Sequence, residues 1–143
     1  MRRRALLAIG LGAASGSGLS SVAAAQGATV PLIGFLGSTA PAPEVVAPFL
    51  AGLAEAGYRD GRNVAVEYRW ANNQLERLPE LIAELLRLPL DVIVTSGGVP
   101  ATRAAMAATS SVPIVFEVGR DPVQAGLVAS FSRPGGNATG VHM

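Results

Sequence analysis

Cysteine and lysine are both absent from the 143 residues, and histidine and tryptophan occur once each, as His142 and Trp70. Without cysteine there is no disulfide, no thiolate metal ligand and no thiol nucleophile. A single histidine among scattered acids lacks the ligand density of an imidazole metal site. A Ser-His-Asp arrangement would depend on the penultimate residue of the chain. All basic side chains other than His142 are arginine, 11 against 10 acids, and three of them, Arg2, Arg3 and Arg4, open the chain. The rest form no basic stripe interleaved with aromatics, which removes the electrostatic basis for nucleic-acid binding. Glu76, Glu80 and Glu84 recur at helical spacing and read as a solvated helix face rather than a metal site.

The N-terminus has the parts of an export signal. Arg2 to Arg4 precede the apolar run Ala5 to Leu11, and small residues lead to Val22-Ala23-Ala24-Ala25. A positive n-region, a short apolar h-region and small residues before the cut predict a signal peptide over 1–25. A membrane-spanning helix needs roughly 20 apolar residues. The run here dissolves into Gly and Ser, so no stable membrane insertion is expected once the signal is removed. The arginines leave Sec and twin-arginine export both open. Cleavage would leave 8 Arg against 10 acids, a net charge near −2, so the basicity belongs to the leader. Residues 26–143 are enough for one small domain with its own core.

In that remainder the apolar pattern alternates between two periods. Val30 to Leu36 is a short apolar run ending at Gly37-Ser38-Thr39, which predicts a buried strand feeding a loop. From Pro43, Val46, Phe49, Leu50 and Leu53 fall at helical spacing, with Gly57 at the position of a left-handed cap. A polar turn over Arg59 to Asn63 follows. Val64, Val66, Tyr68 and Trp70 then alternate with Ala65, Glu67 and Arg69, the period of a second strand. Asn73 and Glu76 are spaced as a capping box for a helix with the stripe Leu75, Leu78, Ile82 and Leu85. Leu90 to Thr95 predicts a third strand, opening into Ser96-Gly97-Gly98. Pro100 starts a thin alanine-rich helix, and Pro113 to Val118 is a fourth strand. A short helical stretch is expected from Val123 to Phe131. This order predicts an α/β fold, an open parallel sheet with helices on both faces, because each crossover must return the chain in the same direction.

That architecture places a ligand beyond the carboxyl ends of the strands, where loops and helix N-termini converge. The loops there are Gly37-Ser38-Thr39, Trp70-Ala71-Asn72, Ser96-Gly97-Gly98 and Gly119-Arg120-Asp121. Hydroxyls, bared backbone, one aromatic and one acid suit a small polar or zwitterionic ligand, although each residue alone is also an ordinary turn residue. Ser96-Gly97-Gly98 follows a strand as a phosphate loop would, yet no Gly-Lys-Ser/Thr follows it, and Gly10-Leu11-Gly12 lies within the leader. No nucleophile has a base beside it, and no cofactor is expected. The chemistry offered is binding.

Several segments together, "IGFLGST", "AGLAEAGYRDGRNVAVEYRWANNQLERLPELIAELL", "LDVIVTSGG" and "VPIVFEVGRDPVQAGLVASFSRPGGNATGV", resemble the periplasmic substrate-binding components of ABC transporters, in the family that includes aromatic amino-acid receptors. The resemblance runs from about Val30 to Val141. It implies a Rossmann-like lobe of a type I periplasmic-binding fold, a non-enzymatic receptor that closes on a small solute between two lobes and presents it to a permease of the inner membrane. It makes the expected location the periplasm. The cleft side of the lobe would be Ser38, Thr39, Trp70, Ser96, Gly97, Gly98 and Asp121, with Ser96 and the glycine amides for a carboxylate, Asp121 for an ammonium and Trp70 for the cleft wall. Residues 26–143 would be the N-terminal lobe, and the family's second lobe has no counterpart among them. A truncated fragment of such a receptor, a small α/β enzyme and a one-lobe interaction module are the alternatives.

The tail "RPGGNATGVHM" carries three tempting chemistries: a glycine pair, the sequon Asn137-Ala138-Thr139 and His142. Within the resemblance it becomes a turn followed by a strand from Ala138 to Val141.

Overall fold

A computed structural model describes residues 30–129 and 135–142. The expected signal peptide lies outside the described residues, as do the end of the helical stretch expected up to Phe131, the tail residues Arg133 and Pro134, and Met143. Five strands form one sheet: β1 (Leu32–Gly37), β2 (Ala65–Trp70), β3 (Val92–Ser96), β4 (Ile114–Val118) and β5 (Ala138–His142). All pairings are parallel, and the order across the sheet is β2-β1-β3-β4-β5. Three helices link the first four strands: α1 (Pro43–Glu55), α2 (Leu78–Leu86) and α3 (Val99–Ala108). The predicted α/β architecture is therefore present, and the last strand extends one residue further than expected, with His142 opposite Val118.

The two faces of the sheet differ. Leu36, Ile93, Ile114, Phe116 and Val118 alternate onto the face covered by α2 and α3, where they pack with Leu78, Leu81, Ile82, Leu85, Ala101 and Ala105. This is the main core, and burial of such side chains contributes about 1.5–3 kcal/mol each. A buried hydrogen bond between the Thr95 and Thr102 hydroxyls, 2.8 Å, ties β3 to the first turns of α3 within it. The opposite face carries Phe35, Tyr68 and Trp70 beneath α1, with Phe49 set edge-on to Phe35 at 5.2 Å. None of the residues of α1 is buried. Its stripe of Val46, Phe49, Leu50 and Leu53 therefore meets the sheet less closely than its spacing predicts. On the same face Val115 and Val141 remain 42% and 57% exposed, beyond the reach of α1.

Three local expectations are corrected. Asn73 is not a cap: its φ is +65°, and the helical path starts with a 3-10 turn, Leu75–Arg77, that has no side-chain cap. Its backbone N–H donates instead to the Ser38 carbonyl at 2.8 Å, a tertiary contact that local spacing does not encode. Because the α-helical period begins only at Leu78, Leu75 is exposed and Leu81 joins the buried stripe. After β4, Pro122 to Gly126 form turns rather than a helix: Leu127 and Val128 both reach back to the Pro122 carbonyl, at 2.8 and 3.4 Å. The Gly57 expectation holds. With φ at +94°, Gly57 donates to Ala54 and Tyr58 donates to Leu53, closing α1 with two back-bonds.

Candidate functional site

The strand order reverses between β1 and β3, since β1 is followed by β2 on one side and the chain then crosses to β3 on the other. Ligands of open α/β sheets bind at such a switch point. Ser38 and Gly97 follow these two strands directly. The Ser38 N–H donates to the Ser96 carbonyl at 3.1 Å, extending the ladder one step past the strand ends. A Cβ on Gly97 would lie 3.0 Å from both the Ser38 nitrogen and its Cβ, so the two turns touch. Gly97 and Gly98 have φ of +87° and +102°, a pair of left-handed positions that only glycine adopts without strain.

This turn leads straight into α3, a helix of ten residues whose N-cap, Gly98, supplies no side-chain hydrogen bond. The first-turn amides of α3 are thus left for something else to satisfy. Ser38 is 3% exposed, and its Oγ is the one buried side-chain polar atom without a partner among the described residues. A buried hydroxyl left unpaired costs about 1–3 kcal/mol, so a group that would accept from it has something to gain. Ser96 is buried as well. Thr39 next along is exposed, its hydroxyl donating to the Ala40 carbonyl at 3.1 Å.

The remaining sequence-derived residues stand further out. Trp70 ends β2 with its ring against Gly37, where a Cβ would overlap it, and 5.3 Å from the Phe35 ring. It is half-buried on the α1 face, stacked nearly parallel to Tyr68 at 6.2 Å. Burial, with the Asp60 carboxylate adding to it, pushes the Tyr68 phenol above its ordinary value. Asp121 follows β4, next to β3 in the sheet. Its Oδ1 accepts from the Val123 and Gln124 amides at 2.9 and 3.4 Å, so one carboxylate oxygen closes its own turn. Arg103 on α3 anchors that segment by donating to the Ala125 carbonyl at 2.6 Å. The structure therefore joins Ser38, Thr39, Ser96, Gly97 and Gly98 in one place, with Trp70 and Asp121 on either side of it. No bond among the described residues links Asp121 to that group.

Two residues at the same edge are not among the expected cleft residues, although Asn72 belongs to one of the expected loops. Asn72 and Asn73, separated from the end of β2 by one residue, donate backbone N–H bonds to the Thr39 and Ser38 carbonyls at 3.0 and 2.8 Å. A tandem Asn after a strand is a signal for left-handed backbone, and it was masked by the competing capping-box spacing.

The sheet order, with its switch point between β1 and β3, is that of a doubly wound α/β lobe. The sequence profile described as ABC transporter substrate binding protein matches residues 39–142, and the chain belongs to this family. It is 34% identical over 92 residues to a tyrosine-binding protein of Clostridioides difficile strain R20291, a stretch that is 64% of this chain and 26% of that protein. Among solved structures, it is similar to an ABC domain from Streptococcus pneumonia in complex with L-Trp, with a TM-score of 0.71 and 27% identity over 80% of this chain and 39% of the other. It is equally similar to the ligand-free, open structure of a Clostridium difficile substrate binding protein with adhesive properties, with a TM-score of 0.71 and 28% identity over 79% and 39% of the two chains. The chain thus spans well under half the length of these relatives.

Of the tail's three chemistries, the sequon is used structurally. The Asn137 side-chain amide donates to the Thr109 and Val112 carbonyls at 3.2 and 2.7 Å, fastening the start of β5 to the turn between α3 and β4. No group of three or more His, Cys, Asp or Glu stands together as a metal site among the described residues, and none of the described helices is long and apolar enough to cross a membrane.

Proposed function

We propose that this lobe forms half of the solute cleft of a two-lobed receptor, takes a small zwitterionic amino acid with an aromatic side chain, and serves an ABC permease from the outer side of the inner membrane. The observation that carries the reading is the buried, unpartnered Ser38 hydroxyl beside the left-handed Gly97-Gly98 turn at the uncapped start of α3. Donors with no internal acceptor, at the positive end of a helix, match a carboxylate. Ser96 and the two glycine amides complete that end of the site. The second Asp121 oxygen is left for an ammonium, and Trp70 provides an apolar wall. The relatives that bind tyrosine and L-Trp favour an aromatic amino acid. The leader read over 1–25 accounts for export to the periplasm. The matched share of the relatives, and the apolar sheet face left open at Val115 and Val141, are in keeping with a second lobe and its returning chain.

Calorimetric titration of the chain with L-tryptophan and L-tyrosine tests the assignment. Ser96→Ala and Asp121→Ala should each weaken binding about tenfold, the effect of losing one hydrogen bond to a charged group. Unchanged affinity in either variant removes that residue from the site.

A further inference from the structure

Asn72 and Asn73 are the only non-glycine residues with positive φ among the described residues, at +54° and +65°, and they are consecutive. Asparagine enters this region most readily when its side chain bonds to nearby backbone. Here neither carboxamide has a hydrogen-bond partner among the described residues, and both residues are exposed. The backbone holds the conformation by itself: Ala71, fully buried, donates to the Gly37 carbonyl at 2.9 Å, and the next two amides donate to Thr39 and Ser38. The pair is therefore locked onto the segment that bears the unpartnered Ser38 hydroxyl, and it follows Trp70 by two and three residues. Glycine would meet the backbone requirement with less strain. Two strained residues that display unused hydrogen-bonding groups beside the switch point fit a ligand contact.

We propose that the Asn72 and Asn73 carboxamides determine side-chain specificity, hydrogen-bonding the polar atom of an aromatic solute side chain, a phenol hydroxyl or an indole N–H, whose ring lies against Trp70. This rests on the amino-acid reading of the same crevice. In that geometry the solute's carboxylate is at the Ser38–Gly97 end and its ring at the β2 end, so the two ends are recognised by separate residues. A site built around a hydrogen bond discriminates against the analogue that lacks it.

The test compares L-tyrosine, L-tryptophan and L-phenylalanine binding to the chain and to Asn72→Gly, Asn73→Gly and the double variant, with Tm measured for each. The chain should prefer L-tyrosine or L-tryptophan to L-phenylalanine by about tenfold or more. The double variant should lose most of that preference, keep its affinity for L-phenylalanine, and melt at the same or a higher temperature. An unchanged preference, an equal loss for all three ligands, or a lowered Tm with unchanged preference would each overturn the specificity role while leaving the receptor reading in place. Failure of the chain to bind any of the three would instead remove the receptor reading, and this inference with it.

Discussion

Gly97 concentrates the demands of the crevice in one residue. It must hold φ at +87°, and it must bring its Cα face against Ser38, where an added Cβ would sit 3.0 Å from a backbone nitrogen. Either demand alone is met poorly by alanine, and the backbone nitrogen cannot swing aside as a flexible side chain would. Gly97→Ala should therefore destabilise the chain by about 1–3 kcal/mol, the usual cost of a side chain held in the left-handed region. A thermal melt checks this, and an unchanged Tm would mean that the β3–α3 turn is looser than its contacts imply. Gly98, with only the Pro100 ring near, has room for a Cβ and carries the conformational part of the cost alone. Ser38 differs in kind: its burial and its lack of a partner are invisible in the letters, because they depend on how two distant turns meet. Its candidacy as a site residue could be read from its place after a strand, but its orphaned hydroxyl could not.

Among the elements, strands were more legible than helix ends. Alternation fixed β2, and continuous apolar runs fixed β1, β3 and β4, because a parallel sheet buries its strands more completely than an edge does. The start of α2 departs from the capping-box spacing of Asn73 and Glu76 because the Asn73 amide is claimed by the Ser38 carbonyl across the sheet end. The expected helix after β4 gave way to turns that fold back on Pro122, held from α3 by Arg103. Glu84, read as part of a solvated face, in fact meets Arg69: their Nε–Oε1 contact of 2.9 Å joins edge strand β2 to α2, with Glu67 on the same guanidinium at 3.3 Å. The hydrogen bond to Glu84 is the leading cause that pushes the Arg69 guanidinium further above its ordinary value, with burial opposing it. Both partners are partly exposed, at 29% and 38%, so water screens most of this attraction. A double-mutant cycle of Arg69→Met and Glu84→Gln, read by urea denaturation, should give a coupling of about 0.5–1 kcal/mol that shrinks in 1 M salt. A coupling near zero at low salt would show that the pair is decorative and that the β2 edge is held by its ladder and aromatic packing.

For the molecule as a whole, sheet order does the work that no motif does. Placing β1 beside β3 brings Ser38 to Ser96, Gly97 and Gly98, although it lies far from those three in sequence, and it seats them at the N-terminus of α3. The alternating periods made the parallel sheet readable, and the resemblance to substrate-binding proteins is matched by the family profile over 39–142. The sequence patterns left undetermined how far each face is covered. The α2 and α3 face holds the main core, whereas α1 buries none of its residues and, among the described residues, Val115 and Val141 on the opposite face stay exposed. Those differences arise from packing partners and not from local spacing.

We propose that the switch point between β1 and β3 receives the carboxylate of an amino acid. A titration of the isotopically labelled chain with L-tryptophan, followed by backbone amide resonances, tests it directly, and it detects binding even where affinity is weak. Saturable shifts are expected, largest at Ser38, Gly97 and Gly98 and reduced when the carboxylate is replaced by its amide. Shifts confined to the α2 and α3 face, or a response identical for L-tryptophan and its amide, would contradict the proposal.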